Sequence, residues 1–143
     1  MSEEPRVFEQ HVRWTEEKFG EVTAAGMPAI RTGGQIQTGA TRYHTPEDLL
    51  VAAVATCFMN SFLAFIEKMH IEVKSLEVVG RGHLERVDRS YEITKVFLNV
   101  RVVIESEELR PKIERALELG GKYCFVGNSL KGTVEHTHEI VVS

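Results

Sequence analysis

Thr45-Pro46-Glu47-Asp48-Leu49-Leu50-Val51-Ala52-Ala53-Val54-Ala55-Thr56-Cys57 is the stretch on which the fold turns. Thr45 can cap a helix, Pro46 suits its first position, and Glu47 and Asp48 put negative charge in the first turn, where the helix dipole favours it. The helix is expected to run to about Met69, apolar on nearly every side. No residue from Leu49 to Ile66 is charged, a length that raises the question of a membrane span. Four alanines, Thr56, Asn60 and Ser61 dilute its hydrophobicity, and acids stand directly before it. The remaining chain reads as amphipathic strands that need a partner to cover them. A buried helix at the centre of a small domain is the better account.

On the N-terminal side, residues 7–14 and 18–24 read as strands with Glu16-Glu17 as their turn, and Pro28 to Thr32 as a third, short strand. Gly33, Gly34 and Gly39 mark a loosely held loop reaching His44. After the helix, Ile71 to Arg86 and Tyr91 to Ile104 alternate, and Val87-Asp88-Arg89-Ser90 joins them as an antiparallel hairpin. The alternation is imperfect, which predicts a bulge near Gly80 or Gly82. Ser106 to Leu119 reads as a second helix, capped by Ser106 and stopped by Gly120-Gly121. Lys122 to Leu130 is a short irregular or helical stretch carrying Cys124, and Thr133 to Val142 closes the chain as a strand. Strands and helices segregate rather than alternate. That order predicts an α+β fold, an antiparallel sheet wrapped about the central helix, in one domain over residues 1–143.

Composition narrows the function. The 143 residues are 43% hydrophobic and 27% charged, with a net charge of −4 and no basic run. Nucleic acid and anionic membrane surfaces are therefore excluded as expected partners. The N-terminus lacks the positive and apolar segments of a secretory signal, so a cytoplasmic protein is expected. In a reducing cytosol, Cys57 and Cys124 are free thiols or a redox couple rather than a permanent staple. They lie 67 residues apart with no close cysteine neighbour, so no cysteine metal site is expected.

By residue type alone, Cys57 is a small hydrophobe in mid-helix. Apolar burial raises a thiol pKa and leaves it inert, and the helix dipole fades after the first turn. A reactive Cys57 therefore needs a cation brought from elsewhere. Cys124 differs in following the glycine pair, where the backbone can bring it close to another element. Glu47 reads first as a helix-start acid. His136 and His138 share one face of the last strand at a spacing that can bind metal, but spacing supplies no third ligand, and a solvated face is the ordinary reading. His44 stands alone beside the helix start.

The stretch from Thr45 to Cys57 resembles the motif of the OsmC/Ohr family, in which a Pro-Glu helix start leads to Ala-x-x-x-Cys. Lys122-Tyr123-Cys124-Phe125-Val126-Gly127-Asn128-Ser129 is similar to the segment bearing the family's second cysteine. Arg13-Trp14-Thr15 and the element order fit as well, so the resemblance covers essentially the whole chain. It implies an OsmC-like fold, with antiparallel sheets around a long central helix in an intertwined homodimer. It also implies a cofactor-free thiol peroxidase acting on organic hydroperoxides with electrons from a dithiol. Cys57 is then peroxidatic and Cys124 resolving, and the family's activating arginine is held by the helix-start acid, here Glu47.

Two departures stand out. Lys18, in Glu16-Glu17-Lys18-Phe19-Gly20, occupies the place of that arginine, and lysine keeps the charge but loses the planar fork. Arg42 or Arg31 from the glycine loop are the substitutes to weigh against it. Phe125 stands where the family has proline. The alternative function is an OsmC-like binding or redox-sensing protein with little peroxidase activity.

A helix apolar on all sides, with long strands in only 143 residues, presents more apolar surface than one copy covers. Sedimentation at micromolar concentration should therefore show a dimer; a monomer there would rule it out.

Overall fold

The computed structural model describes residues 3–143, and the chain divides into two compact units, Met1–Leu49 and Leu50–Ser143. In the first, β1 (His11–Glu16), β2 (Phe19–Thr23) and β3 (Ile30–Thr32) form an antiparallel sheet in that order. The pairing of β1 with β2 ends where His11 faces Thr23, so residues 7–10 have no strand to pair with and the expected strand starts late. The turn falls at Glu17 and Lys18, with Glu17 at a positive φ of 47°. The register shifts between Trp14 and Glu16, and the Trp14 indole donates to the Glu17 carbonyl at 3.0 Å.

The glycine loop is held more firmly than its composition suggests. The Gln37 side-chain amide donates to the carbonyls of Gly34 (3.0 Å) and Tyr43 (2.9 Å) and accepts from the Tyr43 N–H (2.8 Å). Gly33 N–H adds a bond to the His44 carbonyl at 3.0 Å. The loop ends in a reciprocal cap: Thr45 Oγ1 accepts from the Asp48 N–H at 3.1 Å, and the Thr45 N–H donates to the Asp48 carboxylate at 2.9 Å. That bond from the Thr45 backbone, followed by the one from its hydroxyl, holds the Asp48 carboxyl below its ordinary pKa.

Helix α1 (Pro46–Lys68) runs unbroken from this cap. The second unit adds β4 (Ser75–Val87), β5 (Ser90–Ile104), a 3₁₀ turn (Glu107–Leu109), α2 (Arg110–Lys122), a second 3₁₀ turn (Gly127–Ser129) and β6 (Thr133–Val142). Val54, Phe58, Phe62 and Ile66 recur at every fourth residue of α1 and are buried. They meet every second residue of β5 from Val96 to Ile104, together with Ile113, Ala116 and Leu117 of α2. By length and composition α1 could cross a membrane, yet this stripe lies in the core of its unit.

The α+β class holds, and three local expectations are corrected. The second sheet is mixed rather than antiparallel throughout: its order is β4-β5-β6, and β6 runs parallel to β5. α2 lies between β5 and β6 and supplies the crossover that parallel neighbours need. The register shift in β4 falls between His83 and Leu84, and Gly80 and Gly82 serve another purpose. A Cβ on either would lie 2.9 or 2.5 Å from a Val51 methyl, so their bareness lets α1 sit on the strand. Finally, Gly120 and Gly121 do not stop α2; they are helical, and α2 continues to Lys122. A Cβ on Gly120 would lie 3.3 Å from the Phe62 backbone, and one on Gly121 would lie 2.9 Å from the His136 ring. Close packing of α2 on α1 and β6 overrides the helix-breaking tendency of glycine.

Gly120→Ala tests that packing. In an open helix the exchange stabilises, but here the methyl meets helix backbone that cannot rotate away. The variant should lose about 1–3 kcal/mol, read as a lower midpoint in urea unfolding with an unchanged slope. A gain in stability would show that the two helices part freely.

Candidate active site

The second unit brings together the two cysteines that the sequence holds 67 residues apart. α1 presents Cys57 one position before the buried Phe58, so it lies at the edge of the core stripe, half-buried. Cys124 follows the end of α2 and is 1% exposed. Its sulfur lies 3.8 Å from the Val54 carbonyl, one turn before Cys57 on α1. The Val126 N–H in turn donates to Cys57 Sγ at 3.4 Å. Both thiols are free.

Their surroundings differ. Cys57 lines an open cavity of about 720 Å³ shared with Asn60, Phe65, Lys68, Tyr123 and Phe125. Cys124 does not reach that cavity. Burial pushes the Cys124 thiol up to about 11; the Gly127 N–H opposes that shift, and hydrogen bonding with Cys57 adds to it. Cys124 therefore stays a neutral thiol at neutral pH, while Cys57 is the sulfur open to a reagent.

Lys18 and Glu47 belong to the first unit, where the glycine loop links them. Gly34 passes so close to Lys18 that a Cβ there would lie 3.0 Å from the Lys18 Cβ. The next residue, Gln35, donates its side-chain amide to Glu47 Oε1 at 2.5 Å. Glu47 thus takes an amide as its partner in the place where the resemblance implies an arginine. The Arg31 guanidinium lies over the Tyr43 ring, 4.8 Å from its centroid. Neither Gln35 nor the Val126 amide was legible in the sequence: one is an ordinary polar loop residue, the other a backbone group.

His136 and His138 line a separate surface cavity with Glu114, Arg115 and Glu118. The His136 ring packs on Phe58 with centroids 5.0 Å apart, and its Nδ1 is buried without a partner. Burial, with a smaller effect of His138, lowers its pKa. Among the described residues, no group of three or more His, Cys, Asp and Glu side chains is placed to hold a metal.

Comparison with known proteins adds the wider setting. The family described as OsmC-like protein matches residues 38–139. Comparison with curated proteins found no match. Among solved structures, an OsmC-like protein of Vibrio cholerae superposes with a TM-score of 0.80 at 21% identity, covering 93% of this chain and 100% of its own. An organic hydroperoxide resistance protein of Elizabethkingia anophelis gives 0.70 at 16% identity, covering 96% and 99%. That of Bacillus subtilis gives 0.63 at 20% identity, covering 93% and 98%. At these identities the likeness concerns the fold.

The buried Cys124 thiol carries a pH signature. Its folded pKa of about 11 stands above the ordinary 9.0, so between those values the folded chain holds a proton that the unfolded chain releases. The resulting stability is complete below pH 9 and falls as pH rises through that window. Urea unfolding across it should show a steeper loss for the native chain than for Cys124→Ala. Equal slopes would mean that the thiol titrates alike in both states.

Proposed function

The chain belongs to the OsmC-like protein family, and from that premise we propose that it is a thiol-dependent peroxidase reducing organic hydroperoxides. The observation that carries this reading is the asymmetric thiol pair: Cys57 in the wall of an open apolar cavity, Cys124 buried directly behind it. A Cys57 thiolate attacks the peroxide O–O bond, the alcohol departs, and a sulfenic acid remains on Cys57. The Cys124 thiol condenses with it, releasing water and forming a disulfide within one chain, and an external dithiol restores both thiols. Two of the similar structures bear the name organic hydroperoxide resistance protein, which agrees with this chemistry.

The cation that favours the thiolate is Lys18 or, failing that, Arg42, steadied by Glu47. Ten residues of helix separate Glu47 from Cys57 by about 15 Å, so we read Glu47 as serving the Cys57 of a second copy. A homodimer accords with the bare apolar side chains of β1, where Val12 and Trp14 are 71% and 72% exposed. The protein is read as cytoplasmic, where dithiol reductants are at hand, with neither nucleic acid nor membrane among its partners.

One observation favours a second reading, a ligand-binding or redox-sensing protein. Glu47 holds an amide rather than an arginine, and the cavity would accept an apolar ligand without reacting with it.

Steady-state reduction of an alkyl hydroperoxide by a dithiol separates the two. Native protein should turn over, and Cys57→Ser should fall at least 100-fold. One equivalent of peroxide should yield a linked Cys57–Cys124 peptide pair, while Cys124→Ser should trap a sulfenic acid on Cys57. A Cys57 that stays a free thiol while peroxide persists would favour the binding reading.

A further inference from the structure

The two ends of the disulfide are unequal in a way that fixes how it must be reopened. Thiol–disulfide exchange needs the attacking sulfur in line with the bond it breaks, on the far side of the sulfur attacked. The far side of Cys57 is the cavity lined by Asn60, Ala64, Phe65 and Phe125. Cys124 is enclosed instead: Val54 lies against its sulfur, and a Cβ added to Gly127 would come within 3.2 Å of it. We propose, resting on the peroxidase reading, that the reducing dithiol attacks Cys57 Sγ alone, through the same cavity that admits the peroxide, and never Cys124.

The exchange balances as follows. The reductant's thiolate pair forms a new S–S bond to Cys57, the Cys57–Cys124 bond breaks, and its electron pair leaves on the Cys124 sulfur, which takes up a proton. The reductant's second thiolate then attacks the reductant sulfur bound to Cys57. Cys57 leaves as a thiolate, and the reductant departs as its own disulfide.

Intrinsic reactivity points the other way, since the sulfur of lower pKa is the better leaving group, and Cys124 is the thiol held high by burial. Access therefore decides against reactivity. The Gly127 and Val126 amides soften the conflict, because both favour negative charge on the departing Cys124 sulfur. Peroxide and reductant must then use the cavity in turn, and neither meets Cys124.

The disulfide can be prepared with diamide, which keeps this test separate from peroxidase activity. If diamide gives the disulfide and peroxide does not, the peroxidase reading fails while the attack site is still measured. The oxidised protein is exposed briefly to excess N-acetylcysteamine, quenched with acid, alkylated and mapped by peptide mass. The thiol adduct should sit on Cys57 and the alkyl label on Cys124, by at least ten to one. Ala64→Phe, which narrows the cavity, should slow reduction of the disulfide by dithiothreitol at least tenfold. Adduct on Cys124, an even split, or an Ala64→Phe variant reduced at the native rate would overturn the proposal.

Discussion

The second unit depends on one stripe of side chains. Val54, Phe58, Phe62 and Ile66 form a line along α1, and each is worth about 1.5–3 kcal/mol when fully buried. The stripe needs a flat apolar surface below it, which the alternation of β5 supplies, and an apolar neighbour beside it, which α2 supplies. The glycines are consequences of the same demand. Gly80 and Gly82 lower β4 beneath Val51, and Gly120 brings α2 against the backbone at Phe62. Cys57 owes its position to this arrangement too. One residue before Phe58, it is turned just far enough from the core to reach the cavity while staying against Cys124.

Much of this was written in local chemistry. The cap formed by Thr45 and Asp48, the hairpin around Asp88 and the strand from Thr133 to Val142 all follow from near neighbours in the chain, and local rules found them. The misread features depend on distant partners. Gly120-Gly121 looks like a helix stop until Phe62 and His136 are placed beside it. The direction of β6 is absent from its own alternation, because pleating is the same in parallel and antiparallel strands. Val7 and Phe8 carry strand-like side chains but have no neighbouring strand to pair with.

The site divides in the same way. The motif leading to Cys57 and the resemblance it carries identified both thiols, and the geometry brings them into contact. The partner of Glu47 was not legible, because a glutamine two residues past Gly33 has no pattern that marks it as a ligand for a helix-start acid. The contrast between the thiols was equally hidden. Both cysteines read as small buried hydrophobes, and only the placement of the cavity distinguishes the accessible sulfur from the enclosed one.

The parallel pairing of β5 with β6 has a consequence during synthesis. An antiparallel hairpin can zip as it leaves the ribosome, so β4 and β5 can associate while the rest of the chain is still being made. β6 must wait for α2 to be translated and to pack before it can find its edge. Cys124 lies on the late side of that event, 67 residues after Cys57. A nascent chain therefore carries Cys57 without its partner for most of translation, and an oxidant met in that interval would leave a sulfenic acid that nothing within the chain could resolve. Completion of the redox pair is tied to completion of the sheet.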